Sequence, residues 1–165
     1  MQSHLYFICP TDHLEPIINE AFQNDNYYYT SLGNSIVFNT STVGQIQELI
    51  KDQGIQKITF VLSDENAIIL DGIGQKAFTD ISGLSHFYNG LVNQSTALNM
   101  VWKSFDFQTA LFSYYLQSKI VQLENKFLRT PYFDIPLNGL IYKKEQGVFN
   151  NIYGHLIYKD YFSLN

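Results

Sequence analysis

The sequence predicts an α/β fold in which a mostly parallel central sheet is flanked by helices and followed by a C-terminal hairpin. Two observations carry this. The run Lys57–Leu62, KITFVL, has the length and β-branched content of a strand buried on both faces, and Gly54 closes a helical pattern just before it. Strand-like and helical patterns alternate through the first half of the chain, an order that right-handed parallel crossovers accommodate. Ligands of open sheets sit beyond the carboxyl ends of the strands, so Ser63-Asp64-Glu65-Asn66 is the first place to look for chemistry.

His4–Cys9 is a short apolar run stopped by Pro10 and reads as the first strand. A helix is expected from Asp12, with Glu15 as capping-box partner, Pro16 in its first turn, and Ile17, Ile18, Ala21 and Phe22 on one apolar face. Asn24-Asp25-Asn26 breaks it. Tyr27–Tyr29 and Ser35–Phe38 read as strand pieces around a tight turn in which Gly33 and Asn34 supply positive φ. Thr42 is the expected cap of a second helix, with Gln45 in the box position and Val43, Ile46, Leu49 and Ile50 inward. After Gly74, Phe78, Ile81, Leu84, Phe87 and Leu91 fit short helices punctuated by Gly83 and Gly90. From Leu98, the spacing of Val101, Phe105, Phe112, Leu116, Leu123 and Phe127 predicts a long helix with one packed seam and a break near Ser104-Phe105-Asp106. Thr130-Pro131 ends it. Leu140–Tyr142 and Val148-Phe149 flank the turn Lys143–Gly147 as a hairpin, and Leu156–Tyr158 reads as a last strand.

A chain of 165 residues, 45% hydrophobic and without repeat, linker or low-complexity tract, is expected to form one domain over residues 1–165. Its formal charge of −5 offers no field for a polyanion, which weighs against nucleic acid as a partner. Cys9 stands alone, so no intrachain disulfide is available, and the opening MQSHLYFICP lacks both a charged leader and an export-length apolar run. No apolar segment approaches the ~20 residues that span a bilayer. A soluble cytoplasmic protein with no membrane insertion is the expectation. The 13 Phe and 12 Tyr imply bulky core packing, and Tyr27-Tyr28-Tyr29 with Phe112, Tyr114 and Tyr115 form a cluster that suits either the core or a partner surface.

Four segments, in order, resemble the β-class carbonic anhydrases. Cys9-Pro10-Thr11-Asp12-His13 stands where the family has Cys-x-Asp-x-Arg before a helix. Thr30-Ser31-Leu32-Gly33-Asn34 is similar to the family's Arg-Asn-Ala-Gly-Asn turn, and Leu62-Ser63-Asp64-Glu65-Asn66-Ala67 to its Gly-His-x-x-Cys-Gly. Gln117–Leu128, Pro131–Pro136 and Gly139-Leu140-Ile141-Tyr142 through Gly147 resemble its helix, Pro-bearing loop and Gly-x-x-Tyr hairpin. The resemblance implies a β-carbonic anhydrase-like fold, a homodimer, and a zinc held by two thiolates and one imidazole, whose bound water ionises near neutral pH.

This chain departs from the family on those chemical positions. Only Cys9 of the three ligands is present; Ser63 replaces the histidine and Asn66 the second cysteine, and neither hydroxyl nor amide belongs to the usual zinc donors. Aligned without a gap, the family's Asp–Arg pair becomes Thr11 and His13, and Asp12 takes the acidic place only with a one-residue shift. Cys9, Asp12, His13, Ser63 and Asn66 are therefore read as a vestigial site with no catalytic residues, no cofactor and no metal. Gly33, Asn34, Asp64 and Glu65 are candidate ligand-binding positions. The expected function is a catalytically inactive binding or regulatory module, a homodimer with a protein partner or small anion, and the reading leans away from an enzyme. The competing reading is a carbonic anhydrase-type lyase with a rebuilt zinc site on Cys9, His13 and a carboxylate from Asp12, Asp64 or Glu65; a third is metal-free thiol chemistry at Cys9. Ser63 lacks nucleophile-elbow surroundings, His86 and His155 read as structural, and Gly72-Ile73-Gly74 is not a phosphate loop.

Overall fold

A computed structural model describes residues 2–81, 84–101 and 107–154. The elements in order are β1 (Ser3–Ile8), α1 (Glu15–Ala21), β2 (Asp25–Thr30), α2 (Thr40–Gln53), β3 (Lys57–Ser63), α3 (Ala67–Ile73), α4 (Leu84–Val101), α5 (Phe107–Phe127), β4 (Leu137–Lys143) and β5 (Val148–Asn151). They build one five-stranded sheet in the order β2-β1-β3-β4-β5. The first three pairings are parallel and β4–β5 closes the edge as an antiparallel hairpin. This is the expected α/β architecture. β3 is its middle strand and is buried from Ile58 to Ser63, as a continuous apolar run between two covered faces requires.

Alternation along the strands divides the sheet into two unequal faces. Leu5, Phe7, Ile58, Phe60, Leu62 and Ile141 enter the larger core, where α2, α3, α4 and α5 pack. Tyr6, Ile8, Val61 and Tyr142 lie on the other face, covered by Leu14 and Ile18 from the α1 region. On the large face α3 and α4 come so close that a Cβ on Gly72 would stand 2.8 Å from both Leu91 Cδ1 and Tyr88 Cδ1. The contact needs glycine there. Among the described residues no helix is long and apolar enough to cross a membrane.

Several local expectations are corrected. α1 begins at Glu15 with Leu14 in the N-cap position and no side-chain cap, because Pro10–Asp12 form a separate 3-10 turn and the Asp12 carboxylate serves distant partners. Ala21 is exposed. α2 is capped by Asn39, whose side chain accepts from the Thr42 backbone N–H; Thr42 lies inside the helix. Ser35–Phe38 is not a strand: Ile36 and Phe38 are buried, Val37 is exposed, and the Ile36 carbonyl accepts from Lys119 instead of a neighbouring strand. α4 runs unbroken through Gly90, where packing of Leu84, Tyr88 and Leu91 outweighs the weak helix preference of glycine. The long apolar seam belongs to two helices, with Leu98 and Val101 in α4 and Phe112, Leu116, Leu123 and Phe127 in α5. The expected break at Ser104–Asp106, the Gly83 punctuation and the strand Leu156–Tyr158 lie outside the described residues.

Candidate functional site

The parallel pairing of β1 with β3 brings their carboxyl ends side by side, and Asp12 joins them. Its Oδ2 accepts from the Ser63 backbone N–H at 2.8 Å and its Oδ1 from Asn66 Nδ2 at 2.8 Å. Asn66 is fully buried, and its own Oδ1 accepts from the Ile69 N–H at 2.9 Å, so one amide both caps α3 and holds the carboxylate. Burial pushes the Asp12 carboxyl up from 3.8 to about 6; the two hydrogen bonds and the charges of His13 and Lys144 oppose that rise without cancelling it.

Cys9 is fully buried beside this network. Its sulfur accepts from the Gly33 N–H at 3.0 Å and shares a hydrogen bond with the Thr11 hydroxyl at 3.0 Å. Gly33 adopts φ 58 and Asn34 φ 53, the expected left-handed pair. A Cβ on Gly33 would meet Ile68 and Phe87 at 3.1 Å, which presses this backbone against the core. The buried Asn34 side chain donates through Nδ2 to the carbonyls of Phe7 at 3.3 Å and Val61 at 2.9 Å, and the Asn34 backbone carbonyl accepts from the Tyr115 hydroxyl at 2.8 Å. Asn34 is thus a clasp between β1, β3 and α5.

Ser63 is buried, and its hydroxyl accepts from the Glu65 N–H at 3.2 Å. Asp64 and Glu65 diverge. Asp64 Oδ1 accepts from the Lys144 N–H at 3.1 Å and its Oδ2 stands 3.9 Å from Lys143 Nζ, while Glu65 pairs with Lys144 Nζ at 2.8 Å. Gln108 Nε2 donates to the Asp64 carbonyl. Both acids fasten the end of β3 to the β4–β5 turn. His13 is exposed at the end of the 3-10 turn with φ 51, and His86 is exposed on α4. His155 lies outside the described residues. Of the aromatic cluster, Phe112 and Tyr115 are buried in the larger core, Tyr27 and Tyr29 are half-buried at its margin, with Tyr29 against Phe7, and Tyr28 lies on the opposite face.

Zinc needs several convergent thiolate, imidazole or carboxylate donors. Here the sulfur of Cys9 is engaged by Gly33 and Thr11, both Asp12 oxygens are held by neutral donors, and the Asn66 carbonyl caps a helix. Among the described residues no group of three or more His, Cys, Asp or Glu is placed to hold a metal ion. The donor set does not fit the zinc centre that the resemblance implies.

Lys119 escaped the sequence reading. It is 8% exposed, with its Nζ donating to the Ile36 carbonyl at 2.8 Å, and burial lowers its pKa to about 8. The available signal was a lysine one turn beyond Tyr115 in the seam of α5.

No family model matches the sequence, and no curated protein matches it. Among solved structures the chain is similar to the β-carbonic anhydrase CafD of Aspergillus fumigatus, at 17% identity and TM-score 0.68, over 93% of this chain and 90% of that one. CafA of the same fungus gives 13% identity and TM-score 0.68, over 91% and 74%. One of two tetrameric β-carbonic anhydrases of Sordaria macrospora gives 12% and 0.68, over 92% and 80%. The chain therefore has the β-carbonic anhydrase fold that its motifs implied, and at these identities the likeness carries the fold alone.

Proposed function

We propose that this chain is a catalytically silent β-carbonic anhydrase-like protein that works in the cytoplasm as a self-associating binding or regulatory module, without zinc. One observation carries the reading. At the positions where the resemblance expects an imidazole and a second thiolate, Ser63 and Asn66 supply hydrogen-bond donors to Asp12, and the strand ends are joined by a closed protein network. Such a network gives no Lewis acid and no metal-bound nucleophile, which are the means of hydration in this fold.

Self-association is supported by the uneven cover of the sheet. Parallel sheets are ordinarily covered on both faces, yet among the described residues α1, of seven residues, is the helix packed against the second face. A second copy, another protein or a small anion is the expected partner. Metal analysis of purified protein, a CO2 hydration assay and sedimentation velocity test the reading together: sub-stoichiometric zinc, background hydration and a dimer are expected. Stoichiometric zinc with turnover that Cys9→Ser abolishes would overturn it in favour of a rebuilt metal site.

A further inference from the structure

A cavity of about 260 Å³ lies between α4, α5 and the segment that follows the Gly33–Asn34 turn. Ile36, Phe87, Leu91 and Tyr115 give it apolar walls, while Gln94 and Lys119 bring polar groups to it. Lys119 is the one charged residue among the buried positions of α5. Its Nζ lies 5.7 Å from the Tyr115 ring centroid, and among the described residues it forms no ion pair. An ammonium has three protons to donate, and the Ile36 carbonyl takes one. Gln94 Oε1, on the same cavity, is buried without a hydrogen-bond partner among the described residues.

A cation taken out of water without a counter-charge is costly, and so is a buried acceptor left unmet. One ligand resolves both. We propose that this cavity binds a small carboxylate with an apolar body and a hydrogen-bond donor, the carboxylate meeting Lys119 and the donor meeting Gln94. At about 260 Å³ the cavity lies near the lower end of the ~300–1,000 Å³ usual for ligand pockets, which suits a molecule of about one ring. The exposed lining residues His86 and Gly90 leave it open to solvent. The site rests on the Lys119 cavity and stands whether or not the Cys9–Asp12 network is catalytically silent.

Calorimetric titration of the full chain with 4-hydroxybenzoate and with its neutral counterpart 4-hydroxybenzamide tests it. The carboxylate is expected to bind more tightly by about tenfold or more, the size of one charge-assisted hydrogen bond. Lys119→Gln should erase the preference. Gly90→Leu should weaken binding of both, because Gly90 lines the cavity and a Cβ there meets nothing within 4 Å, which leaves room for a larger side chain beside the ligand. Gly90→Leu also keeps the test decisive if Lys119→Gln fails to fold. No saturable binding of the carboxylate up to ~10 mM, equal affinity for acid and amide, or undiminished binding by folded Gly90→Leu would each overturn the proposal.

Discussion

Asp12→Asn separates the burial of a charge from the hydrogen bonds that accompany it. In the native chain the Asp12 carboxyl rises from 3.8 to about 6, with burial as the largest cause. The folded protein therefore keeps a proton that the unfolded chain has already released between about pH 4 and pH 6. Stability from this group is fully present below about pH 4 and is lost as pH rises through the folded value near 6. At about 1.4 kcal/mol per pH unit, the span amounts to about 3 kcal/mol. Asparagine cannot titrate. Its carbonyl can accept from either Ser63 N–H or Asn66 Nδ2, but its amide nitrogen then faces the other donor, a constant penalty of about 1–3 kcal/mol at every pH. Urea unfolding of both proteins from pH 4 to pH 8 gives the difference in stability, native minus variant. It should shrink by about 3 kcal/mol across the window and stay flat above it. His4, whose pKa burial lowers from 6.5 to about 4, destabilises both proteins in acid and cancels from the difference. A pH-independent difference, or one that grows with pH, would refute the burial argument.

Asn34→Ala should lower stability by about 2–3 kcal/mol, because the carbonyls of Phe7 and Val61 lose their donor and alanine must adopt φ near 53. Asn34→Gly, which relieves the backbone and still lacks the amide, should cost less by about 1 kcal/mol in the same urea assay. Cys9 should resist iodoacetamide in native buffer and react at the unmodified-peptide rate in denaturant, followed by mass spectrometry; rapid native alkylation would restore the thiol-chemistry reading. Gly72→Val should destabilise by about 1–3 kcal/mol through collision with Tyr88 and Leu91, seen as a fall in Tm of several degrees; an unchanged Tm would mean that α3 and α4 separate freely.

What the sequence revealed was what local chemistry determines. The β-branched run of β3, the Gly54 stop and the Gly33–Asn34 turn each carry their cause within a few residues, and all three stand where expected. Asp12 followed by Glu15 has the spacing of a capping box, but its partners Ser63 and Asn66 lie 51 and 54 positions away, and a long-range tie leaves no trace in local spacing. The same holds for Ser35–Phe38, whose alternating pattern resembles a strand. Its Ile36 carbonyl is claimed by Lys119, 83 positions on, and the segment stays out of the sheet. Gly90 shows the opposite case, in which a local stop signal is overridden: a helix of 18 residues with a buried face tolerates one glycine that would end a shorter one.

The Asp12 network also explains why adding one ligand would not make a metal centre. Each residue in it has two jobs. Asn66 caps α3 with its oxygen and holds Asp12 with its nitrogen, so Asn66→Cys would supply a thiol while freeing the Ile69 N–H and leaving one carboxylate oxygen unmet in a buried place. Ser63 grips Asp12 through its backbone, which any residue keeps, but its hydroxyl also fixes the turn at Glu65. Cys9 would still accept from Gly33, whose position is set by Ile68 and Phe87. Because each member satisfies two neighbours, a single substitution leaves buried donors or acceptors unmet before it supplies a metal cage.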